Sequence, residues 1–413
     1  MVRTKTGSRA FWLLIGVVLG MVIAVLAYEA GLRDPLWQRY DAWRWQRQTE
    51  AGLAQTPAPG AIPLTRTDLL YPEASAAGFA HDQALFADLD MGALTATRQA
   101  NLTAEWQLAA RDPAAFRDAI EPQRERLHEY LGPLPDGPVT ITERHPIPLP
   151  VSFCPDGPVE AEQLAINSRW PGVALTAYLV QPAGADNGRA VVALHGHGSS
   201  PERLLGLEAE DYGRLLALRL ACAGYAVIVP AVTSDGAANS AISARLTLEG
   251  ATLYGLMVSQ VLSSIDVLQA EFPDRPVGLY GVSNGGLLAL FSNAVDERPS
   301  FVVAESILTP YWDNILMPTV SRSGRTEYFF YFNGPLWLDF DMAGLALLSV
   351  PDTLLFTVGS LDSERAGWET QWGLIEATYA ATGQAEQTDL ILFHGYHELA
   401  ENLAINRLAE MLP

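Results

Sequence analysis

The residues with the most chemical potential stand in one short run, Gly281-Val282-Ser283-Asn284-Gly285-Gly286. An apolar strand pattern, 277–280, precedes it, and a helical pattern, 287–294, follows. A serine hydroxyl is a poor nucleophile until a base takes its proton. A sharp strand-to-helix turn exposes such a hydroxyl above a sheet, next to a helix N-terminus whose partial positive charge favours a developing anion. The turn crowds the backbone around its central residue, and glycines two places before and after relieve the crowding. As a bare string G-x-S-x-G is weak. Its setting between strand and helix makes Ser283 the candidate nucleophile rather than part of a tight structural turn.

Three further runs follow apolar strand patterns and supply what such a serine needs. His394-Gly395-Tyr396-His397-Glu398-Leu399 precedes the last helix, and a histidine there can reach the serine. His397 is the candidate base, and His394, nearer the strand, is a supporting neighbour. A carboxylate must fix the tautomer of that histidine and stabilise its imidazolium. Asp362, in Gly359-Ser360-Leu361-Asp362-Ser363-Glu364, has the right chain position, with Asp313 and Glu364 as alternatives. In His195-Gly196-His197-Gly198-Ser199-Ser200, small residues let backbone N–H groups approach a substrate oxygen. The expected oxyanion donors are the N–H groups of Asn284 and His197. His195 and His197, joined by His394 and His397, would also offer four nitrogens to zinc, but that leaves the serine turn unexplained. His195 reads more simply as a partly buried histidine holding its loop. The expectation is no metal and no organic cofactor.

The elements around these runs form a consistent series. Strand patterns lie at 173–180, 190–194, 226–230, 277–280, 301–304, 353–358 and 388–393. Helical patterns lie at 211–223, 248–272, 287–294, 364–382 and 398–412, and irregular strands are expected between 133 and 165. Short, continuously apolar strands alternating with helices mean an α/β fold with a mostly parallel central sheet and helices on both faces. Sites in such sheets sit at the carboxyl ends of the strands, where all four runs fall.

The order Ser283, Asp362, His397 is that of the α/β-hydrolases. The chain resembles them over about residues 120–413, and more narrowly resembles their acetyl xylan esterase-like and dienelactone hydrolase-like branch. The residues that carry the likeness are the four runs above, Asp211-Tyr212-Gly213 at a helix start, Arg126-Leu127 to Leu131-Gly132, and Pro171-Gly172-Val173 before Tyr178-Leu179. The resemblance implies a serine esterase with a Ser-Asp-His triad, acting on small-molecule or carbohydrate esters such as O-acetyl groups. A serine peptidase on the same fold is an alternative. A catalytically inactive binding module is another, and it has no chemical need for a complete triad. The aromatic-rich stretch 309–350, with Tyr311, Trp312, Tyr328, Phe329, Phe330, Tyr331, Phe332, Trp337 and Phe340, stands where inserts in this fold often form a cap over the site, its rings making either the cap's own small core or a platform for an apolar or sugar substrate face.

The N-terminus has a different character. Arg3, Lys5 and Arg9 precede an uncharged apolar run at 11–28. Its length, about 27 Å as a helix, is close to the ~30 Å hydrocarbon core of a bilayer. Basic residues on its N-terminal flank favour an outward-facing remainder. The run is longer than a usual signal-peptide core, so residues 1–33 are expected to be an uncleaved transmembrane anchor, with secretion after cleavage as the alternative. The catalytic part is then exported, to the periplasm or beyond. Leu36-Trp37-Gln38-Arg39-Tyr40-Asp41-Ala42-Trp43-Arg44-Trp45 suits a membrane interface, or an ordinary amphipathic helix. Residues 55–63 read as a linker. The division expected is 1–33 anchor, 34–132 juxtamembrane and helical lead-in, and 133–413 catalytic domain.

Composition narrows the partners. The 413 residues carry 26 basic against 47 acidic side chains, a formal charge of −21, which disfavours nucleic-acid binding. With 49% apolar and 18% charged residues a packed core is assured and wholesale disorder is excluded. Two cysteines, Cys154 and Cys222, exclude a disulfide scaffold but leave one bridge open.

Overall fold

The structure, a computed structural model, describes residues 113–412 apart from 150–153, 155–158, 184, 234–236, 311–335 and 363. The expected membrane segment, the tryptophan-rich run, the linker and most of the lead-in lie outside the described residues. Among the described residues no single helix is long and apolar enough to cross a membrane.

Nine strands form one sheet: β1 (Thr140–Ile147), β2 (Ala161–Asn167), β3 (Ala174–Val180), β4 (Ala190–Leu194), β5 (Ala226–Pro230), β6 (Val277–Val282), β7 (Pro299–Glu305), β8 (Thr353–Gly359) and β9 (Thr388–Phe393). Their spatial order is β1-β2-β3-β5-β4-β6-β7-β8-β9. The first three strands and β5 pair antiparallel, and every pair from β5 to β9 is parallel. The sheet is thus mostly parallel, as expected. The irregular strands expected between 133 and 165 are the antiparallel pair β1 and β2, whose register shifts between Ile141 and Glu143. On β1 exposed residues dominate, so its hydrophobic pattern was too weak to fix the strand's bounds.

The continuous apolar runs of the central strands have a direct cause. On β4, Ala190, Val192 and Leu194 enter one core while Val191 and Ala193 enter the other. Side chains alternate across a strand, so a sheet covered on both faces needs apolar residues at every position. One core is completed by α1 (Pro113–Leu131), α5 (Leu253–Glu271), α6 (Asn284–Val295), α8 (Met342–Leu347) and α9 (Trp368–Ala381). The other is completed by α3 (Leu216–Cys222) and α10 (Asn402–Met411), with α2 (Pro201–Leu204) beside them.

Several boundaries differ from the sequence expectation for identifiable reasons. The helix expected at 248–272 is α5, which starts only at Leu253: Gly250 takes a φ of +74°, and Thr252 caps the helix, its hydroxyl accepting from Gly255 N–H at 2.9 Å; a separate, unexpected helix, α4 (Ala237–Leu248), precedes it. The helix expected from 211 starts at Leu216, because Arg214 and Leu215 take left-handed backbone angles. The lead-in helix α1 buries Phe116, Ile120, Leu127 and Leu131 in the same core as the sheet, so the expected boundary at 132/133 lies inside one packed unit. The cap expected at 309–350 needs a correction at its far end. From Leu336 onward, through α7 (Leu336–Asp339) and α8, residues such as Phe340, Met342, Leu345 and Leu347 join the main core. The remaining cap residues, 311–335, lie outside the described residues.

Cys154 and Cys222 form a disulfide, with Cα atoms 5.2 Å apart. It ties the connection between β1 and β2 to the end of α3.

Candidate active site

The strand order changes direction at β4: β5 lies on one side of it and β6 on the other. Crevices at such switch points, outside the carboxyl ends of the strands, are where α/β sheets bind ligands. Leu194 of β4 pairs with Gly281 of β6, so the His195-Gly196-His197-Gly198 loop and the Ser283 turn leave the sheet side by side. The ends of β7, β8 and β9 continue the row, with Val282 beside Glu305, Glu305 beside Thr357, and Gly359 beside Phe393.

Ser283 occupies the turn between β6 and α6 with φ 57° and ψ −127°. A non-glycine residue there stores about 1–3 kcal/mol of strain, sustained only when the surroundings over-determine it. The surroundings do so here. A Cβ on Gly281 would collide with the Gly285 backbone, so strand end and helix start cross at contact distance. Ser283 N–H donates to the Glu305 carbonyl at 2.8 Å, and Ser283 C=O accepts from Leu287 N–H at 3.1 Å as the first bond of the helix.

Ser283 Oγ stands 2.8 Å from His397 Nε2, and His397 Nδ1 stands 2.9 Å from Asp362 Oδ2. Both distances are in the hydrogen-bonding range. The three residues expected to act together are therefore brought together, across 114 and 35 residues of sequence separation. The Asp362 side chain is 3% exposed and that of His397 26%. Burial lowers the affinity of His397 for a proton. The hydrogen bond to Asp362 and the charges of Glu364 and Asp362 outweigh it and leave the pKa raised. Of the alternative acids, Glu364 is more distant, with Oε2 3.8 Å from His397 Nδ1, and its N–H donates to Asp362 Oδ1 at 2.8 Å. Asp313 lies outside the described residues.

Asp362 and His397 sit on loops packed against each other. Leu361 N–H donates to the Gly395 carbonyl at 2.8 Å, and a Cβ on Gly359 would strike the Gly395 and Tyr396 carbonyls. His394 points elsewhere, with Nδ1 3.3 Å from Ser360 Oγ.

The Asn284 N–H belongs to the first turn of α6, directly after Ser283. The His197 loop lies against this turn: a Cβ on Gly196 would come within 2.7 Å of Val282 O and 3.0 Å of Ser283 Cβ. Only glycine permits that approach. Tyr212 Oη donates to the His197 carbonyl at 2.6 Å and fixes that peptide from behind. Asn284 thus follows Ser283 directly, and Gly196, the residue before His197, lies against it. The Asn284 side chain is buried, its Oδ1 accepting from the Tyr254 hydroxyl. His195 is buried, with Nδ1 3.2 Å from the Gly196 carbonyl. Among the described residues, no three His, Cys, Asp or Glu side chains gather as a metal site would require.

Sequence reasoning missed Glu305 and Arg214, which brace the site without belonging to a recognisable run, and singled out the Asp211-Tyr212-Gly213 run without reading Tyr212 as a brace. A signal existed for one of them. Glu305 is a carboxyl at the end of an otherwise apolar strand, where a charge is costly unless bonded.

No protein-family model matches the chain. A Bacillus subtilis (strain 168) protein named "Putative hydrolase YtaP" is 28% identical over 281 residues, which are 64% of this chain and 89% of that protein. Among solved structures, a Bacteroides fragilis protein described as a "putative acetyl xylan esterase" is similar, with a TM-score of 0.52 and 16% identity over 73% of this chain and 84% of the other. A glucuronoyl esterase from Solibacter usitatus aligns with a TM-score of 0.53 and 14% identity, over 70% of this chain and 91% of the other. At such identities the likeness is one of fold, and the described part of this chain has the α/β-hydrolase fold.

Proposed function

We propose that the protein is a serine hydrolase that cleaves carboxylic esters. The observation that carries this reading is the continuous chain Asp362–His397–Ser283, with contacts of 2.9 and 2.8 Å, at the carboxyl ends of the strands. His397 Nε2 takes the Ser283 proton as Oγ attacks the ester carbonyl, and Asp362 holds the resulting imidazolium. The tetrahedral oxyanion is met by the N–H groups of Asn284 and His197. His397 then gives its proton to the departing alcohol, leaving an acyl-enzyme. Water, deprotonated by His397, releases the acid and restores Ser283. None of these steps draws on a metal or organic cofactor.

The substrate class is proposed from the company of the fold. Acetyl xylan and glucuronoyl esterases act, by their names, on carbohydrate-linked esters. A short-acyl or carbohydrate ester is the substrate proposed for this chain. Export is proposed from two features. The apolar run at 11–28 follows basic residues and suits an anchor, or a cleaved signal. The Cys154–Cys222 bridge suits an oxidising compartment.

The test is labelling of the protein with a fluorophosphonate, mapping of the adduct by mass spectrometry, and turnover of a short-acyl nitrophenyl ester. The expected adduct is on Ser283, and Ser283→Ala and His397→Ala each lose about 10⁴-fold or more in kcat. A folded protein inert to both reagents defeats the reading and leaves the inactive binding module.

A further inference from the structure

One buried side chain touches the supports of all three candidate catalytic loops. Glu305 ends β7 with no exposed surface. Its Oε1 accepts from the hydroxyl of Tyr280, on the strand that leads into Ser283. Its Oε2 accepts from the hydroxyl of Thr357 at 2.9 Å, on the strand that leads to Asp362. The same oxygen accepts from Ala400 N–H at 2.6 Å, three residues beyond His397. The Glu305 main chain adds the acceptor for Ser283 N–H. The next residue, Ser306, donates its hydroxyl to the Glu398 carbonyl at 2.8 Å and its N–H to the Thr357 carbonyl at 3.0 Å.

A carboxyl is a poor choice for this position on stability alone. Burial raises its pKa to about 7, against the pull of the Tyr280, Ala400 and Thr357 hydrogen bonds. An apolar side chain would avoid that desolvation. What an apolar side chain lacks is an acceptor for the Ala400 N–H. The loop with His397 has no regular secondary structure between β9 and α10 and takes its shape from such contacts.

We propose that Glu305 is a positioning residue, whose buried carboxyl ties the His397 loop to the strands bearing Ser283 and Asp362 and so sets the Ser283–His397 contact. The inference rests on the assignment of Ser283 and His397 as nucleophile and base. Glutamine can keep most of this arrangement. Its amide oxygen still accepts from Ala400, while its NH₂ donates to the Tyr280 oxygen, which can accept as well as donate. Methionine fills the volume but accepts nothing of comparable strength.

The experiment compares wild type, Glu305→Met and Glu305→Gln, with thermal melts to set an assay temperature at which each is folded. Nitrophenyl-ester kinetics and the rate of fluorophosphonate labelling at Ser283 are the readouts. Glu305→Met is expected to lose about 10²-fold in kcat and a similar factor in labelling rate, with KM within about twofold, since a misplacement near 1 Å has that effect. Glu305→Gln is expected to recover to within about fivefold of wild type, because the Ala400 bond survives. If Glu305→Met does not fold, Tyr280→Phe combined with Thr357→Val takes its place. That pair removes two of the three donors and is expected to lower kcat by about tenfold at constant KM. A folded Glu305→Met, or in its absence the double variant, with kcat within about twofold of wild type overturns the proposal. So does a Glu305→Gln variant as impaired as Glu305→Met. A wild-type chain inert to both reagents overturns the hydrolase reading itself, and this inference with it.

Discussion

The Ser283 turn and the His397 loop hold their residues in opposite ways. Ser283 is fixed chiefly by its immediate neighbours: the crossing of Gly281 and Gly285, the α6 turn that begins at Asn284, and one bond to the adjacent strand. His397 is fixed by residues remote in sequence. Leu399 N–H donates to the Tyr212 carbonyl at 2.9 Å, Arg214 Nε to Glu398 Oε2 at 3.0 Å, and Ser306 and Glu305 hold Glu398 and Ala400. A nucleophile on a strained turn needs local geometry, because only a short strand-to-helix link creates it. A base need only arrive at the right point, and any set of distant acceptors can bring it there. Damage to the turn should therefore disturb the fold, and damage around the loop should disturb the rate.

The largest expected effect falls where the two regions meet. Asp362→Asn keeps the shape but offers His397 Nδ1 a donor where an acceptor is needed, so kcat should drop by about 10⁴-fold with the melting temperature little changed. Steady-state kinetics and calorimetry check both halves of that statement. Gly281→Val attacks the turn instead. Its side chain meets the Gly285 backbone, which cannot move aside, and a loss of about 3 kcal/mol in unfolding free energy is expected by denaturant titration. A melting curve that matches wild type would remove the contrast drawn here. Arg214→Met acts chiefly on the loop, since its other ion pair, with Glu210, is more exposed. The ion pair with Glu398 is partly exposed, so its stability contribution is at most about 1 kcal/mol, while kcat should fall about threefold as the loop loosens.

This contrast also explains what could be read from the sequence. Ser283, Asn284 and the parallel strands were legible, since turn chemistry and apolar runs are local patterns. Asp362 and His397 were legible through chain order and their positions after strands. The supporting roles of Tyr212, Arg214 and Glu305 were not, because nothing in their own neighbourhoods reveals a partner some ninety to nearly two hundred residues away. The start of α5 lies five residues later than expected because Gly250 takes a positive φ and Thr252 caps the helix, neither of which the apolar residues that follow announce. The far end of the expected cap was misjudged for a related reason. Aromatic residues such as Phe340 serve a buried core as well as a binding platform, and composition cannot tell the two apart.

The smallest effect gives the sharpest test of the loop's electrostatics. A base must be neutral to accept the Ser283 proton, so kcat/KM should fall as pH drops through the pKa of His397. That pKa is raised: burial lowers it, but the Asp362 hydrogen bond and the charges of Glu364 and Asp362 prevail. The acid midpoint should therefore lie above the usual histidine value of about 6.5. The Glu364 side chain acts on His397 through its charge, from 3.8 Å and a half-exposed position, while its backbone N–H, which donates to Asp362, is untouched by substitution of the side chain. Glu364→Gln removes one raising influence, so the midpoint should move down, with the plateau at pH 8 unchanged within about twofold. The shift should shrink in 1 M salt, since an exposed charge is screened there. A midpoint that stays put at low salt would mean that Asp362 alone governs the proton affinity of His397. A plateau that collapses would mean that the Glu364 side chain itself helps to hold the loop, joining it to the structural supports of His397.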